Sequence, residues 1–233
     1  MSEGATHGGL ASETGEIPRS LQPDGLWCER RRQVPPPSPR ALFLDRDGVV
    51  VEEVGFLHRP QEVRLAAGAA ALCRAARAAG WTVVLVTNQS GIGRGRYGWP
   101  EFAATQAEIE RQLAAAGAPE PFDLVLACPH HPEGIEPYRH ADAPGRKPNP
   151  GMLARAIELL ALEPAASWIV GDRAVDLEAG RRAGLAGGLH LSTGHGRDAG
   201  EREQALASAT PAYRVLAADD LPAALTLLPL SGG

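Results

Sequence analysis

One octapeptide, Ala41-Leu42-Phe43-Leu44-Asp45-Arg46-Asp47-Gly48, carries the main clue to the architecture of this chain. Its four apolar residues predict a buried strand, and two carboxylates at positions i and i+2 follow directly. In the loop after a strand, such carboxylates can converge on one cation and one phosphate. An Asp-x-Asp-Gly turn alone is more often a solvated turn or part of a calcium loop. A calcium loop needs further acidic positions, which Val49, Val50 and Val51 exclude.

From Ala41 onward, short apolar runs alternate with Ala- and Leu-rich amphipathic segments. The runs predict strands at 41–45, 82–87, 122–127, 167–171, 187–191 and 213–216. The segments predict helices near 65–79, 100–116, 150–161, 175–183 and 220–228. This alternation predicts an α/β fold, a Rossmann-like parallel sheet with helices on both faces, which gathers ligands at the carboxyl ends of its strands. The irregular stretch 128–149 is long for a compact domain, so we expect it to be functional or disordered.

Polar segments occur at three further junctions between predicted elements. They are Thr87-Asn88-Gln89-Ser90-Gly91, Arg146-Lys147-Pro148 and Gly171-Asp172-Arg173-Ala174-Val175-Asp176. Each has an ordinary explanation by itself: a polar loop, a surface lysine or a helix cap. Together with the octapeptide they supply carboxylates for a divalent cation, and a hydroxyl and an amine for phosphate oxygens. Their order along one parallel sheet indicates a single site.

Two nucleotide-binding motifs are excluded. Gly93-Arg94-Gly95-Arg96-Tyr97-Gly98 matches the dinucleotide fingerprint, but it starts several residues past the strand and lacks the supporting acidic residue. The phosphate-binding loop of nucleotide kinases, G-x-x-x-x-G-K-[ST], is absent from the sequence.

Length and composition predict one domain with an amino-terminal extension. The 233 residues divide into a partly disordered extension, 1–38, in which Leu26 and Trp27 are expected to dock, and a globular domain, 39–233. A net charge of -5 argues against nucleic-acid binding, and no apolar run approaches the roughly 20 residues that span a membrane. Three scattered cysteines and the lack of a signal peptide predict a cytoplasmic protein. We expect a monomer.

The four polar segments resemble motifs I to IV of the haloacid dehalogenase superfamily. The longer strings Val86-Thr87-Asn88-Gln89-Ser90-Gly91-Ile92-Gly93-Arg94-Gly95 and Arg146-Lys147-Pro148-Asn149-Pro150-Gly151-Met152 are similar to the branch of heptose bisphosphate phosphatases and histidinol-phosphatases. The resemblance covers about residues 41–195. It implies that residues 39–233 form a haloacid dehalogenase-like core without a large cap domain.

The resemblance also implies Mg²⁺-dependent hydrolysis of a small phosphorylated metabolite. Asp45 would attack phosphorus and form an aspartyl-phosphate, and Asp47 would protonate the leaving group and then deprotonate water. Thr87 and Lys147 would hold the phosphoryl oxygens.

By the same resemblance, the metal ligands would be Asp45, the carbonyl of Asp47 and Asp172, with Arg173 contributing only through its backbone or an adjacent position and Asp176 orienting the shell. Substrate-contacting positions would be Glu53, Val54, Gly55, Phe56, Asn88, Gln89, Ser90 and Arg146.

Several substrates and functions fit the resemblance. We expect a sugar bisphosphate such as D-glycero-D-manno-heptose 1,7-bisphosphate, which would lose its 7-phosphate, because Arg146, Arg94 and Arg96 offer charge for a second anion. The alternatives are histidinol phosphate, transfer of the phosphoryl group to an acceptor hydroxyl, and an inactive binding module. The presence of both Asp45 and Asp47 argues against the inactive module, and the lack of a cap insertion favours water as the acceptor.

A structural zinc ion is expected to be absent. Cys128 and His130 resemble the first half of a zinc site found in the branch, but the positions of its Cys-x-Cys pair are Ala143 and Gly145, which have no ligand atoms. Two other donors are available nearby, His140 and Asp142. Structural zinc sites favour more sulfur than this set provides.

Overall fold

A seven-stranded sheet forms the centre of the computed structural model, which describes residues 20–32 and 38–230. The strands are β1 (Trp27–Arg30), β2 (Ala41–Leu44), β3 (Thr82–Asn88), β4 (Leu124–Cys128), β5 (Trp168–Gly171), β6 (Gly187–Leu191) and β7 (Arg214–Ala218). The α-helices are α1 (Ala69–Ala78), α2 (Ser90–Gly93), α3 (Trp99–Ala115), α4 (Gly151–Leu160), α5 (Ala174–Arg182), α6 (Glu201–Ala207) and α7 (Leu221–Leu227). Short 3-10 helices lie at Pro60–Glu62, Pro164–Ala166 and Gly194–Arg197.

The strand order places the octapeptide at the middle of the sheet. The order is β1-β4-β3-β2-β5-β6-β7, and every pairing is parallel except that of β1 with β4. β2 lies between β3 and β5, with Leu42 opposite both Val83 and Trp168. Since parallel strands point the same way, the loops after β2, β3 and β5 meet at one edge of the sheet.

Alternating side chains of the central strands build two cores. In β2, Leu42 and Leu44 join the core on one face, whereas Ala41 and Phe43 join the core on the other. Helices α1, α3 and α7 contribute to the first core, and α4 and α5 contribute to the second. The strands are buried on both faces, which explains why they read as continuous apolar runs rather than alternating patterns.

The predicted parallel sheet with helices is confirmed. Each of the six predicted strands matches an observed one, with ends that differ by at most two residues. Helix α1 starts at Ala69 rather than near 65, because Gly68 precedes it in a left-handed conformation (φ 91°) that ends the loop. The short helices α2 and α6 were not predicted.

Strand β1 is the main correction to the predicted organisation. It lies inside the segment expected to be an extension, and it adds an antiparallel strand at the sheet edge. Leu26 and Trp27 are each 4% exposed, and Trp27 stacks on Trp99 with ring centroids 5.4 Å apart. The sheet therefore begins before the predicted division at residue 38. The expected loose start of the chain, residues 1–19, lies outside the described residues.

Two further features bear on the site. The stretch between β4 and α4 contains no helix or strand, as its composition suggested. No α-helix in the described ranges is long and apolar enough to cross a membrane.

Candidate active site

A cleft of about 320 Å³ opens where the loops after β2, β3 and β5 meet. Its floor carries Asp45 and Asp172, which follow β2 and β5, and Thr87, the next-to-last residue of β3. The backbone N–H of Asp45 donates to the carbonyl of Val170 (3.0 Å), which continues the β2–β5 pairing to the cleft. The acidic residues are therefore fixed by the central strands rather than by flexible loops.

Lys147 lies at the bottom of the cleft with all three ammonium hydrogens engaged. Its Nζ is 2.7 Å from Asp45 Oδ1, 2.7 Å from Asp176 Oδ1 and 2.8 Å from the carbonyl oxygen of Val86. Burial lowers the pKa of Lys147, but the carboxylates of Asp176 and Asp45 outweigh it, so the pKa lies above its ordinary value. The ammonium group therefore stays charged.

The amide of Asn88 fixes the backbone at Lys147. Asn88 Nδ2 donates to the carbonyl of Lys147 and Asn88 Oδ1 accepts from its N–H, both over 3.1 Å. Both polar atoms of the Asn88 amide, which was predicted to contact the substrate, are therefore occupied by the backbone of Lys147.

Three buried aspartates, Asp45, Asp172 and Asp176, offer oxygen atoms that all lie within 4.8 Å of one another. Within residues 20–32 and 38–230, they are the one group of three or more acidic, histidine or cysteine side chains close enough to share a metal ion. Burial and the charges of Asp45 and Asp176 raise the pKa of Asp172. Like-charged groups gathered this closely are typical of a site for a divalent cation.

Asp172 gives the clearest test of that fit. Its Oδ2 accepts from the backbone N–H of His195 (2.8 Å), while its buried Oδ1 has no partner in the described part of the chain. The lack of a side chain at Gly48 provides space beside the carboxylate of Asp172, because a Cβ at Gly48 would collide with Asp172 Oδ2. An unpaired carboxylate oxygen next to two other carboxylates suits Mg²⁺, a hard cation that prefers oxygen ligands.

Asp47 belongs to a separate hydrogen-bond network at the side of the cleft. Its Oδ1 accepts from Arg46 Nε (3.1 Å), its two oxygens each accept from Arg46 Nη2 (2.9 Å), and Oδ2 also accepts from Gln89 Nε2 (3.0 Å). Gln89 Nε2 reaches Thr87 Oγ1 (2.8 Å), and Tyr97 donates to Gln89 Oε1 (2.6 Å). Burial raises the pKa of Asp47, and Arg46 opposes that rise.

Most of the residues singled out from the sequence line this cleft: Asp45, Asp47, Glu53, Gly55, Phe56, Thr87, Asn88, Gln89, Ser90, Arg146, Lys147, Asp172, Arg173 and Asp176. Val54 is absent from the lining, since its side chain is 53% exposed and faces a separate surface depression.

Two of the arginines expected near a second anion are also engaged elsewhere. Arg94 pairs with Glu133 (3.0 Å), and the guanidinium of Arg96 stacks on Phe56 at 4.3 Å. Arg173, expected as a metal contact only through its backbone or an adjacent position, is among the residues that line the cleft, and its Nε lies 3.8 Å from Glu201 Oε1.

Arg46, Tyr97 and His195 are lining residues that the sequence analysis did not assign. Arg46 lies in the octapeptide between Asp45 and Asp47, and the sequence pattern there is defined by the two carboxylates. His195 follows β6 at the same edge of the sheet, so the rule that ligands gather at strand ends could have found it. Tyr97 comes from the loop before α3, and only tertiary structure brings it back to Gln89.

The residues of the expected incomplete zinc site are held by other contacts. His130 Nε2 donates to the carbonyl of Asp24 (2.9 Å), and the His130 and His140 rings pack edge to face at 5.8 Å. Burial raises the pKa of the Cys128 thiol to about 11.

Family comparison decides the class of the protein. A family model described as haloacid dehalogenase-like hydrolase matches residues 38–184, and a HAD-hydrolase-like model matches residues 145–224. The chain belongs to the haloacid dehalogenase-like hydrolase family. The resemblance drawn from the four polar segments is thereby confirmed.

Individual relatives of this haloacid dehalogenase-like hydrolase carry more specific names. D-glycero-beta-D-manno-heptose-1,7-bisphosphate 7-phosphatase of Mesorhizobium japonicum is 44% identical over 180 residues, 77% of this chain and 82% of the relative. D-glycero-alpha-D-manno-heptose-1,7-bisphosphate 7-phosphatase of Burkholderia mallei is 42% identical over 147 residues, 63% of this chain and 76% of the relative.

A solved relative carries magnesium and phosphate. The crystal structure of D,D-heptose 1,7-bisphosphate phosphatase from B. bronchiseptica, complexed with magnesium and phosphate, is similar with a TM-score of 0.65 and 32% identity. The similarity covers 81% of this chain and 97% of that chain. These relatives confirm that this hydrolase is an enzyme of the phosphatase type.

Proposed function

We propose that this hydrolase removes the 7-phosphate of D-glycero-D-manno-heptose 1,7-bisphosphate, using Mg²⁺. The observation that carries the proposal is the pairing of two different subsites in one cleft. Asp45, Lys147 and Asp172 form a phosphoryl site at its floor, and Arg146 and Arg173 add positive charge nearby. The names of the relatives agree with a substrate that bears two phosphates.

Asp45 is the nucleophile in this proposal. Its carboxylate oxygen attacks the phosphorus of the 7-phosphate, and the bond from phosphorus to the sugar oxygen breaks as that oxygen takes a proton from Asp47. Water then gives a proton to Asp47 and attacks the aspartyl-phosphate, which releases inorganic phosphate and restores the Asp45 carboxylate. The raised pKa of Asp47 suits a group that must hold and then return a proton.

Thr87 holds one oxygen of the transferring phosphoryl group, and Lys147 donates to another by giving up one of its three present hydrogen bonds. Lys147 is pinned by Asp45, Asp176 and Val86, so its charge is already placed beside the attacking oxygen before substrate arrives. Such preorganised charge stabilises the transition state without reorganisation during the reaction.

Asp45, Asp172 and the carbonyl of Asp47 would hold Mg²⁺, with Asp176 orienting the group. When bound, Mg²⁺ reduces the repulsion between the nucleophilic carboxylate and the anionic phosphate. Asp176 is suited to an orienting role because both of its oxygens are occupied, one by Lys147 and the other by the N–H of Arg173 (3.0 Å).

Arg146 is the proposed partner of the second phosphate. Its guanidinium is half-buried, lines the cleft and makes no ion pair with any described carboxylate. Burial lowers the pKa of Arg146, and the nearby charges of Arg173 and Arg94 lower it further. An anion placed there would relieve this repulsion and accept paired N–H bonds.

Histidinol phosphate is the main competing substrate. Its ammonium group would enter a region that already carries Arg146 and Arg173, where like charges repel. The arrangement therefore favours a bisphosphorylated sugar over an amino alcohol phosphate. An inactive binding module is disfavoured because Asp45, Asp47 and Lys147 are all present in the cleft.

The test compares kcat/KM for heptose 1,7-bisphosphate, heptose 7-phosphate and histidinol phosphate with Mg²⁺. We expect the bisphosphate to be preferred over both, by roughly 10- to 100-fold, the range for charge-assisted hydrogen bonds to one phosphate. In Arg146→Ala, the advantage over heptose 7-phosphate should disappear while the rate on the monophosphate is kept. A higher kcat/KM for histidinol phosphate in the wild-type enzyme would make it the substrate instead.

A further inference from the structure

The loop that carries Arg146, residues 129–150, has no helix or strand of its own to fix it. It runs from the end of β4 to the start of α4, and its residues Arg146 and Lys147 line the cleft. Hydrogen bonds within the loop, such as that from the N–H of Tyr138 to the carbonyl of Ile135 (2.8 Å), and contacts with other segments hold its shape. Residues 20–30, here called the amino-terminal clamp, supply the contacts that matter for Arg146.

The clamp is itself a well-formed unit. The backbone N–H of Gln22 donates to the carbonyl of Leu26 (2.8 Å), and Gly25, at φ 80°, closes the turn between them. β1 then pairs with β4, with Trp27 opposite Ala127. The turn is thus anchored directly beside the place where the loop begins.

Three contacts of the clamp beyond its pairing with β4 fix the loop and the helix after it. The carbonyl of Asp24 accepts from His130 Nε2 (2.9 Å), and the carboxylate of Asp24 pairs with Arg155 of α4 (2.6 Å). Leu26 packs on Gly145, where an added Cβ would lie 2.6 Å from Leu26 Cδ2. The clamp therefore contacts the loop near both of its ends.

His130 connects the clamp to Arg146, because its ring contacts Asp24 and its carbonyl contacts the guanidinium. Arg146 Nη1 donates to the carbonyl of His130 (3.0 Å), so the position of that carbonyl sets the direction of the guanidinium. Gly145, against which Leu26 packs, immediately precedes Arg146. Both contacts of the clamp with the loop lead to the same side chain.

Lys147 is held independently of the clamp. Its backbone is fixed by Asn88 at the end of β3, and its ammonium group is fixed by Asp45, Asp176 and Val86. A change in the clamp should therefore disturb Arg146 without disturbing the phosphoryl site.

We infer that the amino-terminal clamp positions Arg146 for the second phosphate of the substrate, through His130 and Gly145. The inference rests on the proposed function, because it assigns Arg146 to that phosphate. The clamp acts on recognition of the bisphosphate and not on the chemical step. Its residues are positioning residues that do not touch the substrate.

The first experiment uses His130→Ala in the full chain. It removes the ring that donates to the carbonyl of Asp24 while leaving the backbone carbonyl of His130 that Arg146 contacts. We expect KM for heptose 1,7-bisphosphate to rise by about three- to tenfold, the effect of one lost hydrogen bond, with kcat within twofold of wild type. The kinetic constants for p-nitrophenyl phosphate, which has no second phosphate, should stay within about twofold of wild type. This is a smaller change than the loss of one hydrogen bond would cause.

Matched controls separate this effect from general loosening. Glu136→Ala removes an exposed side chain of the same loop that, among the described residues, reaches only Arg139, also in that loop. Asp219→Ala removes an exposed aspartate elsewhere, which pairs with Arg202. Both controls should keep the wild-type KM for the bisphosphate.

A rescue experiment tests the contact between Leu26 and Gly145. Gly145→Ala should raise KM for the bisphosphate because its new methyl group collides with Leu26. Adding Leu26→Ala makes room and should return KM toward the wild-type value. A purely structural role would give the double variant the summed losses of the two single variants.

The outcomes are distinguishable. Equal losses on both substrates, an unchanged KM in the clamp variants, or no rescue would overturn the clamp inference while Arg146→Ala still loses its preference for the bisphosphate. If Arg146→Ala keeps that preference, the proposed function is wrong about Arg146 and the clamp inference falls with it.

Discussion

Asp45, Asp47 and Asp172 lie within one cleft but have different surroundings, and the surroundings set their chemistry. Asp45 is paired with Lys147, Asp47 is held by Arg46 and Gln89, and Asp172 keeps an unpaired oxygen. Burial raises the pKa of both Asp45 and Asp47, while Lys147 and Arg46 oppose that rise, so the direction of the pKa shift does not separate their roles. The assignment rests on position, because Asp45 lies beside Asp172, Asp176 and Lys147, whereas Asp47 lies with Arg46 and Gln89.

Replacement of Asp47 tests the acid–base role. Asp47→Asn keeps the size of the side chain and one acceptor oxygen, but it cannot exchange a proton, and its NH₂ group cannot accept from Arg46 or Gln89 Nε2. We expect kcat on a sugar phosphate to fall by roughly 10²–10⁴-fold, the usual contribution of general acid–base catalysis. Formation of the aspartyl-phosphate from p-nitrophenyl phosphate, measured as the burst of nitrophenol, should be much less affected because that leaving group needs no proton. A near-wild-type rate on the sugar phosphate would contradict the role.

Asp172 gives a prediction about stability and pH. Burial and the charges of Asp45 and Asp176 raise its pKa from 3.8 to about 9, so the metal-free native state holds this proton more tightly than the unfolded chain. The resulting stability is full below the ordinary pKa and is lost as the pH rises toward the raised value. Asp172→Asn, which mimics the protonated form, should therefore be more stable than wild type at pH 8 in a chelator, by about 1–3 kcal/mol.

Mg²⁺ should offset most or all of that difference. At 100 times its dissociation constant, a ligand that binds only the native state adds about 2.7 kcal/mol, and this gain belongs to the wild type alone. Urea unfolding with and without Mg²⁺ measures both effects, and Asp219→Asn, at an exposed site, serves as the control. The account of the metal site fails if Asp172→Asn gains as much from Mg²⁺ as the wild type does.

Elements were more predictable than their details. The central strands are buried on both faces, so their sequences are unbroken apolar runs that few other structures explain. β1 escaped prediction because Trp27-Cys28-Glu29-Arg30 is short, partly polar and close to a run of prolines. Its strand character comes from pairing with β4, a contact that local sequence does not reveal.

The same limit applies to the candidate site. Asp45, Thr87 and Asp172 lie at strand ends, where the sequence directs attention to ligands, and Lys147 was proposed from its motif before α4. Val54 does not line the cleft although its neighbours Glu53 and Gly55 do, because the chain bends at Gly55 (φ 86°) and local sequence does not show which way each side chain faces. Tyr97 was missed because its role depends on the position of Gln89 in space.

The loop between β4 and α4 carries the prediction about zinc. Cys128 and the Nδ1 of His130, unpartnered within residues 20–32 and 38–230, offer two zinc ligands there, but Ala143 and Gly145, at the positions of the Cys-x-Cys pair, offer none. Structural zinc sites favour more sulfur than this loop provides. Elemental analysis of protein purified without added metal should give far less than one zinc per chain. About one zinc per chain, or loss of folding on chelation, would contradict this.

On the scale of the whole molecule, the proposed phosphoryl site and the proposed site for the second phosphate depend on different strands of the sheet. Its central strands, β2, β3 and β5, hold the phosphoryl site rigidly from both cores. Its antiparallel edge, β1, lies next to the loop that carries Arg146 and is part of the clamp. Chemistry and substrate choice therefore depend on different parts of one sheet, and variants at the edge should alter selectivity before they alter turnover.

The central claim is that turnover depends on Asp45 as nucleophile, and the most direct measurement is the kcat of Asp45→Asn on heptose 1,7-bisphosphate with Mg²⁺. Asparagine keeps the size of the side chain, and its lone pairs can still accept from Lys147, so the circular dichroism spectrum and unfolding should remain close to wild type. Asp219→Asn, at an exposed position, controls for the loss of one carboxylate. The account predicts no measurable turnover by folded Asp45→Asn, and appreciable residual phosphatase activity in that variant would contradict it.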